Sequence, residues 1–517
     1  MIPFKKNNFK LMKKILNKFI VVISVAFMLA GCQLDSGLYS EIGEGMGFPS
    51  NAEDATALVT GTCYTIFTPW GIFYPDAGYF TNSEMVTDIG ENSWGWTTVY
   101  NSYEADDWHI DSGSRSQYRS YNYISMMTMS IHKISNIEMN ENQKEQLIAE
   151  LKCGRGFLAF ILYDLYGPIQ IADLETLLSP RDEKLIPRRT DAEMHEFIET
   201  NLLEAAEILP YSYSSSDYGR FTKGLANTVL LKFYMLTKQW EKAEAIGREL
   251  TKPEYGYKLV EDYNSLFDLA TEKNTETIFA ATAKAGVIEH KWHAHALPSD
   301  YPSPSGRTIT KWGGFKVAWP FYETYEPNDK RLGRLVGEYT GTEGVLHNKK
   351  NDRDSGIQGA LYKGAVPQKF GMEGVVGENC EIDIPVYRYA DVITLLAEAI
   401  VRNADNVSQE AINHLNAVRN RAGLNSYTMA DFPNVEAFLD KLLLERGHEF
   451  YYEGVRRQDL IRHGKFIEAA VKKAEYEGQP TGKITTIVDG KYKYERFPIP
   501  PSIIYESQGL VEQNPGY

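Results

Sequence analysis

The chain has 517 residues, 43% of them hydrophobic, and a formal net charge of -15 from 69 acidic and 54 basic side chains. So acidic a surface repels nucleic-acid backbones and anionic lipid, and no basic patch with interleaved aromatics offsets it, which excludes a nucleic-acid partner. The length is ample for a large core and admits one elaborated body as readily as two or three domains.

At the N-terminus, Lys5, Lys6, Lys10, Lys13, Lys14 and Lys18 precede the apolar run FIVVISVAFMLAG, with no acidic residue before Cys32. That is the layout of a secretory signal peptide, and its apolar run falls short of the about 20 residues a membrane-spanning helix needs. It closes on Leu29-Ala30-Gly31-Cys32, the order a lipoprotein signal peptidase reads, so residues 1–31 are expected to be removed and Cys32 to be lipidated. An ordinary cleaved signal followed by an unrelated cysteine is the alternative, and Met12 is an alternative start to Met1. Cleavage takes away six lysines and no acids, moving the formal charge from -15 to -21. The other cysteines, Cys63, Cys153 and Cys380, are odd in number and irregularly spaced, which predicts buried thiols rather than a disulfide framework or zinc site.

Residues 32–50 read as a tether and residues 51–67 as a helix. From 70 to 108 the chain is rich in aromatic, Gly, Asn and Asp residues without a sustained period, the composition of an ordered surface loop. Helical periodicity returns at 118–135 and at 143–165, where Leu147, Leu151, Leu158, Leu162 and Leu165 share one face and Gly167-Pro168 stops the helix. Asp191 is placed to cap the next helix, which carries Phe197, Leu202, Leu203 and Ala206 and ends at Pro210. Residues 222–238 and 240–250 form a helix pair, with Trp240 and Ala243 spaced as in the second helix of a tetratricopeptide hairpin. A second pair spans 389–402 and 408–421, with Ala397, Ala399 and Ala411 where helices must approach closely. Between the pairs, residues 253–385 are dense in Gly, Pro, Tyr and Trp and too long for one structureless loop, so packed loops, short helices and a few strands are expected.

The C-terminal region carries ERGHEFYYEGVRRQDLIRHGK from Glu445, which sets Glu445, Glu449 and Glu453 on one helical stripe and gathers Arg456, Arg457, Asp459 and Arg462 around Gly454. Together with the terminus RFPIPPSIIYESQGLVEQNPGY and the segments IPVYRYADVITLLAEA, AINHLNAVRNRAGL, DLYGPIQ and FYETYEPNDKR, this pattern resembles the SusD/RagB family. The resemblance implies a mainly α fold: a SusD-like helical scaffold of degenerate tetratricopeptide-type helix pairs with a loop-rich, partly irregular ligand face. On it, residues 51–517 form one domain, scaffolded mainly by 51–69, 115–250 and 386–517, with ligand-face loops at about 70–114 and 253–385. It further implies a non-catalytic outer-membrane lipoprotein, facing the cell exterior, that binds glycan or another nutrient such as peptide and delivers it to a SusC-type TonB-dependent transporter, with no cofactor.

The marker residues Glu449, Glu453, Arg456 and Asp459 sit among Phe450, Tyr451, Leu460 and Ile461, so they are expected to fix helix docking, as are Arg388, Glu398 and Arg419. The aromatic loops are the candidate ligand site. A flat ring covers the C–H face of a sugar while a nearby Asn, Asp, Glu or Arg orients its hydroxyls. Trp70, Phe73, Tyr74, Tyr79, Trp94, Trp96, Tyr100, Tyr103 and Trp108 crowd residues 70–108, with Asn82, Glu84, Asp88, Asn92, Asn101 and Asp106 among them. The resemblance places an aromatic platform on this early loop and on a later insertion, which makes Trp94, Trp96, Trp312, Trp292, Trp319, Tyr79 and Asn101 the candidates, the first three foremost.

His290, His293 and His295 lack helical metal-site spacing and are expected to be solvated or hydrogen-bonded. NDRDSG from Asn351 begins like a calcium loop, but Lys363 stands where the twelfth-position acid belongs, so no metal is expected. Phosphate loops and nucleophile elbows are absent. The rivals are a secreted glycoside hydrolase, for which no signature surrounds any carboxylate pair, and a peptide-binding tetratricopeptide scaffold, which leaves the lipobox and aromatic loops unexplained.

Overall fold

The long helices begin where a side-chain oxygen can take the first free backbone N–H groups. Asn51 caps Ala52–Thr62, Asn140 caps Glu141–Tyr166, Thr222 caps Lys223–Leu236, Ser408 caps Gln409–Arg421 and Asn434 caps Val435–Phe450. Asp191 does not cap its helix: Thr190 does, in a reciprocal capping box with Glu193, because the Asp191 carboxylate already accepts from the Tyr163 hydroxyl at 2.7 Å. In this computed structural model the described residues are 47–74, 78–94, 117–179, 181–182, 184–482, 484–488 and 490–517. Residues 51–517 cluster as one compact unit.

Helices stack as a solenoid, each on its neighbours in sequence. Glu141–Tyr166 lies between Tyr121–Ser135 and Asp191–Ile208; the latter packs on Lys223–Leu236, which pairs with Trp240–Leu250. The series then skips more than a hundred residues, because Trp240–Leu250 packs directly on Tyr389–Ala404, followed by Gln409–Arg421 and Val435–Phe450. Leu147, Leu151, Leu158, Leu162 and Leu165 are all buried, as their spacing requires, and Cys63, Cys153 and Cys380 are buried free thiols. Among the described residues no helix is long and apolar enough to cross a membrane.

The skipped segment is an insertion closed at its neck. Strand Thr277–Ala281 pairs antiparallel with Ile384–Arg388, so the chain enters and leaves side by side just before helix Tyr389–Ala404. Inside it, Phe315–Ala318 is the middle strand of a three-stranded sheet, flanked by Gly364–Ala365 and by Gly90–Asn92 from the early loop. That early segment is therefore not wholly irregular. It holds the helix Tyr79–Met85, every residue of which is buried, and the strand Gly90–Asn92.

The charged C-terminal motif is a buried lattice. Arg388 is fully enclosed and reaches Glu276 at 2.6 Å, Glu449 at 2.9 Å and Glu453 at 2.7 Å. Glu449 also meets Arg421 and, at 3.4 Å, Arg331. Asp459 bridges Arg446 at 2.7 Å and Arg462 at 2.8 Å, Arg462 continues to Glu398, and Arg456 holds Asp88 at 2.8 Å. These guanidinium groups hold the Glu449 and Asp459 carboxyls down to about 2 against the pull of burial. The single helical stripe is corrected in one respect: the helix ends at Phe450, so Glu453 is not on it. Tyr452 and Gly454 both take positive φ, and a Cβ on Gly454 would strike Phe80 at 2.5 Å, so the chain turns tightly there.

Glu449→Ala is therefore expected to leave Arg388, Arg421 and Arg331 short of a counter-charge inside the core, at a cost of about 3–5 kcal/mol in urea unfolding. Ligand affinity of the folded fraction should stay unchanged; normal stability with lost binding would make this helix the site instead.

Candidate functional site

Strand pairing builds the candidate site from two distant segments. Gly90↔Val317 and Asn92↔Phe315 are in register, and beyond the last pair the Ser93 amide donates to the Gly314 carbonyl at 2.8 Å. Trp94 follows, its amide held by the Asn92 side chain at 2.8 Å and its indole Nε1 donating to the Trp312 carbonyl at 3.0 Å. The Trp94 ring lies directly on Gly314, where a Cβ would come within 2.4 Å of it, so no other residue fits there.

Around this contact the rings collect on His295. Its ring centroid is 5.5 Å from Trp94, 4.9 Å from Trp312, 5.1 Å from Phe315 and 6.5 Å from Tyr74. Tyr74 stacks on Trp70 at 4.8 Å. Trp70 and Trp312 keep 50% and 40% of their surface open to solvent, a large outlay of exposed indole. Lys291 lies between them, its ammonium 5.3 Å from the Trp70 ring and 5.8 Å from the Trp312 ring, and is paired with Glu378 at 2.5 Å. Glu378 sits in the turn between the paired strands Val375–Val376 and Asn379–Cys380, and that turn is fixed by Thr310 donating to the Gly377 carbonyl at 2.7 Å. The result is a surface of indole faces with one neutralised ion pair, suited to a ligand that is apolar on one face and hydroxylated at its edge.

Trp94 and Trp312, from segments more than two hundred residues apart in the chain, are thus brought together. Trp96 and Asn101 lie outside the described residues. Tyr79, Trp292 and Trp319 are core side chains instead. Tyr79 is buried and its hydroxyl joins Asp164 at 3.3 Å and Gln458 at 2.9 Å. Trp292 packs against Phe315, Phe370 and Tyr452 with its Nε1 on the Pro367 carbonyl, and Trp319 donates to the Leu361 carbonyl. Each ring is enclosed because other segments fold over it, the helices Tyr79–Met85 and Trp292–Ala296 being buried along their whole length, which composition alone does not register. The sequence names Trp70 among the loop aromatics but not among the foremost candidates, and does not point to Lys291, although Lys291 stands inside EHKWHAH, whose His295 is the cluster's centre. In NDRDSG, Asp352 is occupied by His347 at 3.0 Å and the Leu361 amide at 2.8 Å, a structural use. Among the described residues no group of acids, histidines or cysteines is arranged to hold a metal.

Comparison with known proteins gives a consistent answer. Residues 271–517 match the model of the SusD family, and residues 71–235 match a model described as starch-binding associating with outer membrane. The chain is 23% identical over 450 residues to SusD-like protein P2 of Formosa agariphila, covering 84% of this chain and 86% of that one. A SusD homolog from Bacteroides thetaiotaomicron superposes with a TM-score of 0.74 at 23% identity, over 91% of this chain and 98% of that one. Surface glycan-binding protein A from the same organism, solved with laminarihexaose, gives 0.69 at 19% identity, over 90% and 100%.

The three histidines of EHKWHAH are buried rather than solvated. His290 Nε2 lies 2.9 Å from the Ile382 carbonyl and His293 Nε2 lies 3.1 Å from the Phe370 carbonyl, whereas neither nitrogen of His295 has a hydrogen-bond partner among the described residues. Burial pushes their pKa values down to about 3, 4 and 3, with Lys291 adding to the effect at His295. His295 is thus neutral in the folded chain and acts as an aromatic spacer. A histidine depressed in this way takes up a proton on unfolding below its ordinary value of about 6.5, so its contribution to stability is present above that pH and falls as pH drops toward 3. His295→Phe should flatten the acid-side decline by about 1.4 kcal/mol per pH unit between those limits, read from urea unfolding at a series of pH values. An unchanged slope would show that His295 is already charged in the folded state.

Proposed function

The chain belongs to the SusD/RagB family, and from that premise we propose that it is a surface glycan-binding lipoprotein of the outer membrane, anchored through Cys32, that captures oligosaccharide on Trp70, Trp94 and Trp312 and passes it uncleaved to a SusC-type TonB-dependent transporter. The observation that carries this reading is the Trp94–Trp312 contact, which makes the early loop and the later insertion one aromatic surface with two half-exposed indoles. Relatives with the same fold support it: one is solved with laminarihexaose, and another is described as a laminarin binding SusD-like protein. Trp70 and Trp312 would stack on sugar faces, Trp94 would hold Trp312 in place, and the Lys291–Glu378 pair would order ring hydroxyls at the edge.

Hydrolysis has no support among the described residues of this arrangement. Glycosidases place two carboxylates about 5–9.5 Å apart across the scissile bond, one of them able to give up a proton. Among the described residues, the carboxylate that meets the cluster, Glu378, is bound to an ammonium. Capture and release fit a surface built from rings and hydroxyl-ordering groups.

Trp312→Ala should weaken binding of laminarihexaose or maltohexaose about tenfold in calorimetry, a loss near 1.4 kcal/mol, without lowering the melting temperature, and no glycan should be shortened by the unaltered protein. Equal affinity in both proteins, or binding of peptides alone, would defeat the platform. Cys32→Ala should leave the protein unprocessed or released from the membrane fraction and remove lipid labelling; unchanged attachment together with unchanged lipid labelling would refute the anchor.

A further inference from the structure

Lys316 lies on the middle strand of the three-stranded sheet, next to Phe315, and its side chain is sealed from water. The side chain runs back along its own chain, and its ammonium donates to the Gly313 carbonyl at 2.7 Å and to the Phe315 carbonyl at 3.2 Å. Those two carbonyls are its partners among the described residues, and burial alone pulls its pKa from the ordinary 10.5 down to about 7. An ammonium buried without a carboxylate is costly, and an apolar side chain of similar length would fill the same space without that cost. The use made of the charge lies in the turn it grips.

That turn carries the platform. From Trp312 to Phe315 every backbone carbonyl has a donor: Trp312 accepts from the Trp94 indole at 3.0 Å, Gly313 from Lys316, Gly314 from the Ser93 amide at 2.8 Å and Phe315 from Lys316 again. Gly313 takes a φ of 69°, and two adjacent glycines have little stiffness of their own, so the donors decide where Trp312 stands. Two of them are side chains: Trp94, which belongs to the platform, and Lys316, which lies beneath it. The charged groups around Lys316 are engaged elsewhere. Glu91, opposite it in register, accepts from the Asn92 amide at 2.9 Å and lies 4.0 Å from the Lys473 ammonium, which itself donates to the Met85 and Gly90 carbonyls. Tyr452 donates its hydroxyl to the Lys316 carbonyl at 2.8 Å, neutral His295 stacks on the neighbouring Phe315, and Lys363 beside the third strand is paired with Glu477. Glu84, pushed up to about 8 by burial, accepts from the Gly454 amide at 2.9 Å.

We infer that Lys316 is the positioning residue of the platform: its ammonium holds the Gly313–Gly314 turn so that Trp312 stands beside Trp94 with its face to solvent, and glycan binding weakens when that ammonium loses its proton. The inference rests on the reading of the Trp70–Trp312 surface as a glycan site. A hydrogen bond from an ammonium is roughly twice as strong as one from a neutral amine, so the deprotonated side chain keeps its two contacts only in weakened form. The direction follows from burial, which favours the neutral amine. The charge is present below about pH 7 and lost above it, so the turn is tightest on the acid side and loosens toward alkaline pH. By linkage, bound sugar draws a proton onto Lys316 to the same degree that the proton favours the sugar.

The test is calorimetry of laminarihexaose and maltohexaose binding over a series from about pH 5.5 to about pH 8.5, centred on the value of about 7. Affinity of the unaltered protein should fall about fivefold across the series, and Lys316→Met should bind about fivefold more weakly at the acid end with no dependence on pH. Lys316→Arg, which stays charged throughout, should keep the acid-end affinity and remove the decline. A second measurement needs no sugar. With isotopically labelled tryptophan, the Trp94 indole N–H resonance, identified by its loss in Trp94→Phe, reports on the same turn through its bond to the Trp312 carbonyl. It should move through a transition near pH 7 in the unaltered protein and in Glu84→Gln, but not in Lys316→Met. Constant affinity across the series, a decline that survives in Lys316→Met, or an indole resonance that does not move near pH 7 overturns the inference. Failure of the platform reads separately, as absence of glycan binding or unchanged affinity in Trp312→Ala, and the indole titration then decides on Lys316 by itself.

Discussion

A guanidinium sealed from water must have its N–H groups met by acceptors and its charge by carboxylates, and Arg388 is that group here. It stands at the last residue of the strand that closes the insertion and holds Glu276 just before the partner strand, together with Glu449 and Glu453 from the C-terminal segment. Three stretches far apart in the chain are therefore pinned to a single atom group. Buried charge of this kind adds little net stability over an apolar core of the same shape, yet its partners tolerate no slippage. The neck of the insertion is fixed to the scaffold for that reason, and the platform hangs from the neck.

From the neck outward the interactions change in kind. The insertion is held to the early loop by the Gly90–Asn92 strand pairing and by Trp94 seated on Gly314, which are contacts of backbone and flat ring. His295, neutral and without a hydrogen-bond partner among the described residues, fills the centre as a ring and not as a base. Such a surface is preorganised for shape and dispersion, with its one ion pair at the edge. A binder that must also let go benefits from this: stacked rings supply contact area without the strong, slow-to-break bonds of a buried charge pair.

Much of this was readable from sequence because it is local. Helix bounds such as Trp240–Leu250, the starts at 51, 222 and 408, and the stop at Gly167 follow from residue types within a few positions of each other. The buried leucine face of Glu141–Tyr166 and the structural use of Glu449, Arg456 and Asp459 were legible for the same reason: periodicity, and charge set among apolar neighbours. What tertiary structure alone decided is which rings face water. Trp292 and Trp319 have the same side-chain chemistry as Trp70 and Trp312, and they differ only in what folds over them, a matter of pairing between segments as far apart as the Gly90–Asn92 and Phe315–Ala318 strands. Residue type sets what a ring can do when exposed; long-range pairing sets whether it is exposed, and no local pattern encodes that.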